Sequence, residues 1–312
     1  MFQRFKTLKD FGGKDIEQLQ DATVAVVGLG ATGSVIAEHL ARHGVNLVVI
    51  DRDYLEPKDI YSSNIYRKED CDKGLPKAKV VEERLSEVVN VRSYVESLGP
   101  GNTGILEKAD LIMDGTDNME TRFLINDYSK KNDTPWIYTA AIGEKGYSMI
   151  FDQKCFNCVF ENINAGSLET CETAGIMREI STISASISSR KAVRLLSGKE
   201  VEERLDTVSG ESFDVESSGC EVCRGESFPH LEGTGFTGSV CGENKYQIEI
   251  GEPDPRAFDR LRESGKVVAD NDYLVRVESK EGSIALFHSG RAIVEARDKG
   301  HAEALLSEKV GL

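Results

Sequence analysis

The sequence predicts an α/β fold: a Rossmann-like, mainly parallel sheet with helices on both faces, followed by a small C-terminal α+β domain. Three observations carry this. Short valine- and isoleucine-rich runs alternate with helical stretches through the first half of the chain. The first of these runs ends in a glycine-rich turn that opens a helix. After Lys245 the pattern restarts as a compact module of about 70 residues, the size of a small domain.

In order, residues 23–27 read as a strand, 31–43 as a helix and 46–50 as a second strand ending at Asp51. Residues 76–89 read as a helix with Pro76 near its first turn, where proline is well tolerated. Strands are expected at 91–95, 109–113 and 136–141, with a helix over 120–131. Continuous apolar strands between helices need cover on both faces, as a parallel sheet provides. Residues 161–174 are small and polar and read as a loop, and 175–197 as a long helix rich in Ile, Ser and Ala that packs closely on a neighbour. The module then offers strands at 246–250, 273–277 and 283–287 and helices at 255–263 and 301–309. The expected division is a first domain over 1–224, a glycine-rich linker over 225–244 and the module over 245–312.

Composition removes several function classes. The chain has 312 residues and a formal net charge of -15, which repels phosphate backbones, so no direct nucleic-acid binding is expected. No apolar run approaches the roughly 18 residues of a membrane span. The first residues lack the apolar core of a secretory signal, so a cytoplasmic location is expected. Seven cysteines, an odd number, argue against a disulfide framework.

Gly28-Leu29-Gly30-Ala31-Thr32-Gly33 follows a strand and opens a helix, the context in which this spacing cradles phosphate. Gly28, Gly30 and Gly33 let backbone approach the ligand, and Asp51 at the next strand's end can accept from ribose hydroxyls. None of the five histidines is placed to handle a proton for a nicotinamide reaction. Lys77, at a helix start after Gly74-Leu75-Pro76, can hold phosphates as a point charge. Asp117, in Asp114-Gly115-Thr116-Asp117-Asn118 at a strand's C-terminal end, can hold Mg²⁺ with its waters. Taken singly, Lys77 could be a solvated helix cap and Asp117 an N-cap; taken together beside the glycine turn they favour ATP.

Cys155-Phe156-Asn157-Cys158 and Cys220-Glu221-Val222-Cys223 supply four thiolates at a spacing that suits tetrahedral Zn²⁺. Four protein ligands leave no open position, so the expected role is structural. Cys171 stands apart before the long helix, where a helix N-terminus favours a thiolate nucleophile and the neighbouring Glu169 and Glu172 oppose one.

Along residues 1–224 these pieces resemble the ThiF/MoeB/HesA family of adenylyltransferases. The likeness runs through Arg4, the glycine turn, Asp51-Arg52-Asp53, Gly74-Leu75-Pro76-Lys77-Ala78, the Asp114–Asn118 segment with Arg122, both cysteine pairs and the segment around Cys171. The stretch from Cys241 through Ser289-Gly290-Arg291 to Gly311 is similar to the extension of the longer members. The resemblance implies a homodimer with one ATP site per subunit, in which Arg4 reaches the other subunit's phosphates. Asp51, Lys77 and Asp117 would then serve ribose, phosphate and magnesium. The implied reaction is adenylation of the C-terminal carboxylate of a ubiquitin-like sulfur-carrier protein ending in Gly-Gly. Cys171 would act as a covalent relay, with a sulfurtransferase as a further partner. One departure stands out: where the family commonly has Asn-x-x-Arg-Gln, this chain has Asp59, Ser62 and Ser63. Loss of a preorganised donor typically costs roughly 10²–10³ in rate. Lys58, four residues before Ser62, is expected to substitute, with Arg67 as another candidate. The competing readings are activation of a small carboxylate, such as one on modified tRNA, and a non-catalytic nucleotide-binding scaffold.

Overall fold

The computed structural model describes residues 5–160, 175–233 and 244–311, which fall into two compact units. The first comprises the described residues within Met1–Asp53, Lys58–Ile65 and Lys77–Thr237. The second comprises those within Tyr54–Pro57, Tyr66–Pro76 and Gly238–Leu312.

In the first unit β1 (Thr23–Val27), β2 (Asn46–Ile50), β3 (Val91–Tyr94), β4 (Leu111–Asp114) and β5 (Trp136–Ile142) pair in parallel in the order β3-β2-β1-β4-β5. The sheet continues antiparallel from β5 through β6 (Lys145–Phe151), β7 (Arg204–Thr207) and β8 (Ser212–Asp214). The sequence reading did not resolve these three strands. Only Gly143 and Glu144 separate β5 from β6, and Gly143 takes φ +55. That is a hairpin, which needs no crossover helix to announce it.

Strand side chains alternate between two cores. Ala25 and Val27 of β1, with Val48, Ile50 and Ile112, pack against Leu124, Ile125 and Tyr128 of α6 (Met119–Asn132). On the other face lie α2 (Gly33–Arg42), α5 (Lys77–Leu85) and α8 (Arg178–Leu196), with α2 packed on both of the others. The small-residue helix α8 packs on β5 and β6. Ser188 Oγ donates to Ser148 Oγ and accepts from Thr139 Oγ1, each at 2.8 Å, and a Cβ on Gly146 would overlap Ser184 Oγ. Bulkier side chains would force this helix off the sheet. Among the unit's described residues the other α-helices are α1 (Gly13–Asp21) and the short α3 (Asp59–Ser62) and α7 (Phe156–Phe160).

The second unit is an antiparallel sheet in the order β10-β11-β12-β13-β9, formed by β9 (Lys245–Glu249), β10 (Lys266–Asp270), β11 (Leu274–Ser279), β12 (Gly282–Phe287) and β13 (Arg291–Glu295). Its core joins Val275, Val277, Ile284, Leu286 and Val294 to Phe258 and Leu261 of α9 (Pro255–Glu263) and Leu305 and Val310 of α10 (Lys299–Val310). Both helices start where the sequence places a cap. Asp254 accepts from Arg256 N at 3.0 Å and Asp298 from His301 N at 2.8 Å. Strands β10 and β13 add to the expected set. β10 is interrupted by a register shift between Val267 and Ala269, which obscures its alternation. The segment with α4 (Lys68–Asp72), although early in the chain, belongs to this second unit. No described helix is long and apolar enough to cross a membrane.

Candidate functional site

The turn between β1 and α2 is built from backbone at very close range. Gly28 takes φ +81, and a Cβ there would come within 2.8 Å of the Gly115 carbonyl oxygen. A Cβ on Gly33 would overlap the Gly28 carbonyl, and one on Gly115 would crowd Gly33 Cα. These three glycines therefore fix the approach of α2 to the ends of β1 and β4. Gly30 is different: nothing lies within 4 Å of its virtual Cβ. The side chain of Thr32 makes no capping bond to α2. The helix N-terminus thus keeps its capacity to receive an anion at a turn with open space at Gly30.

Asp51 closes β2 and is buried. Its Oδ2 accepts from Leu29 N at 2.6 Å and its Oδ1 from Asp53 N at 2.7 Å, so the carboxylate braces the glycine turn. Burial pushes its pKa up to about 6, against the pull of the Lys77 ammonium; Asp53 adds to the rise. Lys77 begins α5, and its backbone N–H donates to Asp53 O at 2.9 Å. Its ammonium lies 3.1 Å from Asp59 Oδ1, and both side chains are about nine-tenths buried. The aspartate that departs from the family pattern is thus the ion-pair partner of the phosphate-binding candidate. Lys58 is exposed at the head of α3, one turn before Ser62.

At the end of β4 a second buried pair sets the loop. Asp114, fully buried, accepts from Thr116 N at 2.8 Å, Thr116 Oγ1 at 2.6 Å and Arg122 Nε at 2.8 Å. Arg122 also donates to Thr116 O at 2.6 Å and lies over the Tyr138 ring at 4.9 Å. Burial alone would lower the Arg122 pKa, but the Asp114 carboxylate raises it. Tyr138 is raised by burial, with Arg122 opposing. The N-cap of α6 is Asn118, which accepts from Thr121 N at 2.8 Å, so Asp117 does not serve as the cap and stands exposed. Asp59, Gly115 and the Asp114–Arg122 pair were not among the sequence-predicted site residues. The signals for them were the Asp-Gly dipeptide at a strand end, the place of Arg122 in the family-like segment and the departure at Asp59, none of which gave their partners.

The four cysteines of the two pairs converge. Their sulfur atoms all lie within 4.8 Å of one another, with Cys155–Cys220 at 3.8 Å and Cys158–Cys223 at 3.1 Å. Sulfurs about 2.3 Å from a tetrahedral centre stand about 3.8 Å apart, so the cluster fits Zn²⁺. Asn126 donates to Cys155 Sγ at 3.4 Å and accepts from Phe156 N at 2.9 Å, an outer contact of the kind that orients metal ligands. His230 lies in the stretch expected to be linker. Its ring stacks on Phe123 at 5.1 Å, and its backbone N–H donates to Asp127 Oδ2 at 2.8 Å. Arg4 and Cys171 lie outside the described residues.

The ThiF family matches residues 2–224. The chain is 30% identical to the sulfur carrier protein ThiS adenylyltransferase of Bacillus subtilis, with 99% of each chain covered. It is also 30% identical to the protein of that name from Escherichia coli, covering 72% of this chain and 95% of the relative. A crystal structure of E. coli MccB with ATP shares the fold at a TM-score of 0.58 and 15% identity, covering 68% of this chain and 69% of that one. On these grounds the glycine turn and its strand-end acids sit in a member of a known group: the chain belongs to the ThiF family.

Proposed function

We propose that this protein uses ATP to adenylate the C-terminal carboxylate of a ubiquitin-like sulfur-carrier protein ending in Gly-Gly. The observation that carries the reading is one constellation. A glycine turn with open space at Gly30 is braced by a buried acceptor, Asp51, and followed by a buried ammonium, Lys77. The full-length likeness to a ThiS adenylyltransferase supplies the substrate class.

In this reading the triphosphate lies on the glycine turn and the α2 N-terminus, with Asp51 accepting from the ribose hydroxyls. Lys77 turns from Asp59 to the phosphates. The carrier carboxylate attacks the α-phosphorus, the bond to the β-phosphate oxygen breaks, and acyl-adenylate and pyrophosphate form. The protein positions the two reactants and neutralises the charge that develops. Asp117 would hold Mg²⁺, which supplies charge to the phosphate oxygens. Lys58 replaces the missing arginine, and Arg4 acts across a homodimer. Cys171 receives the acyl group as a thioester with release of AMP, ahead of sulfur delivery by a sulfurtransferase. Cys155, Cys158, Cys220 and Cys223 hold a structural zinc, and the enzyme acts in the cytoplasm.

The test is ATP–pyrophosphate exchange with a Gly-Gly-ending carrier. Lys77→Met combined with Asp59→Asn leaves no lone buried charge and should cut exchange by roughly 10²–10³. Lys58→Ala should lower it as well. Wild-type protein that binds ATP yet gives no carrier-dependent exchange would overturn the reading in favour of a scaffold.

A further inference from the structure

Between Asp53 and Lys77 the chain passes from one compact unit to the other four times, after Asp53, Pro57, Ile65 and Pro76. The inner stretch, Lys58–Ile65, carries Asp59, and Lys77 follows directly on the last passage. The two outer stretches belong to the C-terminal unit and are zipped to each other. Tyr54 and Pro76 form an antiparallel bridge, and Leu55 N donates to Leu75 O at 2.9 Å.

The C-terminal sheet grips both arms of this neck. On one arm, the Lys245 ammonium lies 2.9 Å from both carboxylate oxygens of Glu56, and the Arg276 guanidinium lies over the Tyr54 ring at 4.8 Å. On the other, Asn271 Nδ2 donates to the carbonyl oxygens of Lys73 at 2.8 Å and Gly74 at 3.4 Å. Gly74, at φ +61, sits so close that a Cβ there would come within 2.6 Å of Ala269 Cβ. Every contact joins residues far apart in sequence, and the two arms end where the loop of Asp59 and the ammonium of Lys77 begin.

We propose that the C-terminal module is a positioning element of the ATP site, with Lys245, Arg276 and Asn271 as positioning residues that fix the neck from which Asp59 and Lys77 project. This rests on the adenylyltransferase reading above. Fixing both ends of an eight-residue loop removes conformational freedom that nucleotide binding would otherwise have to remove. A cation already in place acts on phosphate without reorganisation.

The experiment uses the full chain. Asn271→Asp keeps an oxygen for the Tyr273 and Leu274 N–H groups, which Asn271 Oδ1 accepts at 2.9 and 3.1 Å, but presents a carboxylate to the neck carbonyls. It is studied alone and with Lys245→Met. The readouts are hydrogen exchange of amides 54–77 and the ATP KM and kcat of pyrophosphate exchange. The expected result is faster amide exchange in the neck and an ATP KM raised about fivefold, with kcat within about twofold and zinc content unchanged. Exchanging the charges, Lys245→Glu with Glu56→Lys, should restore KM on that arm. A purely structural role would lower the yield of active protein and leave KM where it was. An active variant with unaltered KM, or with an unloosened neck, overturns the inference alone. A wild-type protein without ATP-dependent exchange overturns the adenylyltransferase reading and takes the inference with it.

Discussion

Asp51 offers a direct test of the site's electrostatics. It is buried and titrates near 6 in the folded chain, against 3.8 for the ordinary side chain. A carboxyl raised in this way keeps its proton longer in the folded state than in the unfolded one. Between pH 4 and pH 6 the folded chain therefore binds more protons, and its stability falls as pH rises through that window. The full difference, about two pH units, is worth about 3 kcal/mol. The sequence pI is about 4.9, so unfolding is best followed above it. Roughly half of the effect, about 1.5 kcal/mol, falls between pH 5 and pH 8. Asp51→Asn removes the titration but keeps one acceptor for the two backbone N–H groups of Leu29 and Asp53. The orphaned donor costs about 1–3 kcal/mol at every pH. The absolute stability of the variant is therefore less informative than its slope. Urea unfolding of both proteins at pH 5, 6, 7 and 8 should show the variant gaining about 1.5 kcal/mol on the wild type across the series. A gap constant to within about 0.5 kcal/mol would refute the assignment of a costly buried carboxylate. The variant should also lose adenylation, since the lost charge is the proposed ribose acceptor.

Two further perturbations separate structure from ligand. Gly33→Ala drives a methyl into the Gly28 carbonyl and should cost about 1–3 kcal/mol in urea unfolding as well as ATP binding. Gly30→Ala points into open space and should leave stability within about 0.5 kcal/mol while weakening ATP in a titration. Elemental analysis should find one zinc per chain, held by the four convergent cysteines. Chelation or Cys220→Ser should then cost more than about 3 kcal/mol, a part of the ~10–16 kcal/mol of structural zinc sites.

Much of this architecture is legible because local signals agree. β1, β2 and α9 fall where the apolar runs and the glycine turn place them. Residues 145–151 escaped because a hairpin strand beside a cysteine pair has no crossover to delimit it. The site was half legible. Gly28 and Asp51 follow strand ends and Gly33 opens α2, and their geometry is set by their own segment and the neighbouring backbone. The partners of the buried charges were hidden. Asp59 and Lys77 are eighteen positions apart across a segment of irregular chain, and nothing in their spacing announces a bond. The return of Tyr54–Pro57 and Tyr66–Pro76 to a sheet formed some 170 residues later is a tertiary fact, and no local pattern encodes it.

The site's own charge explains why it needs help from elsewhere. Asp51, Asp53, Asp59, Asp114 and Asp117 stand at the ends of β2 and β4 or in the loop that follows β2. Against these five carboxylates stand Arg52, Lys77 and Arg122, with Lys58 exposed beside Asp59 at the head of α3. Arg122 is committed to Asp114 at 2.8 Å, and Lys77 to Asp59 at 3.1 Å. A triphosphate entering such a site meets net negative charge and must compete with Asp59 for the buried Lys77 ammonium. Low dielectric strengthens that repulsion as much as it would strengthen attraction. Additional positive charge is therefore a requirement of the proposed chemistry. A divalent ion at Asp117, Lys58 at the head of α3 and Arg4 from the other subunit of a homodimer are the sources the proposed function names. The same arithmetic gives the neck its value: when a single internal ammonium must serve the phosphates, its starting position decides whether the remaining cations are enough.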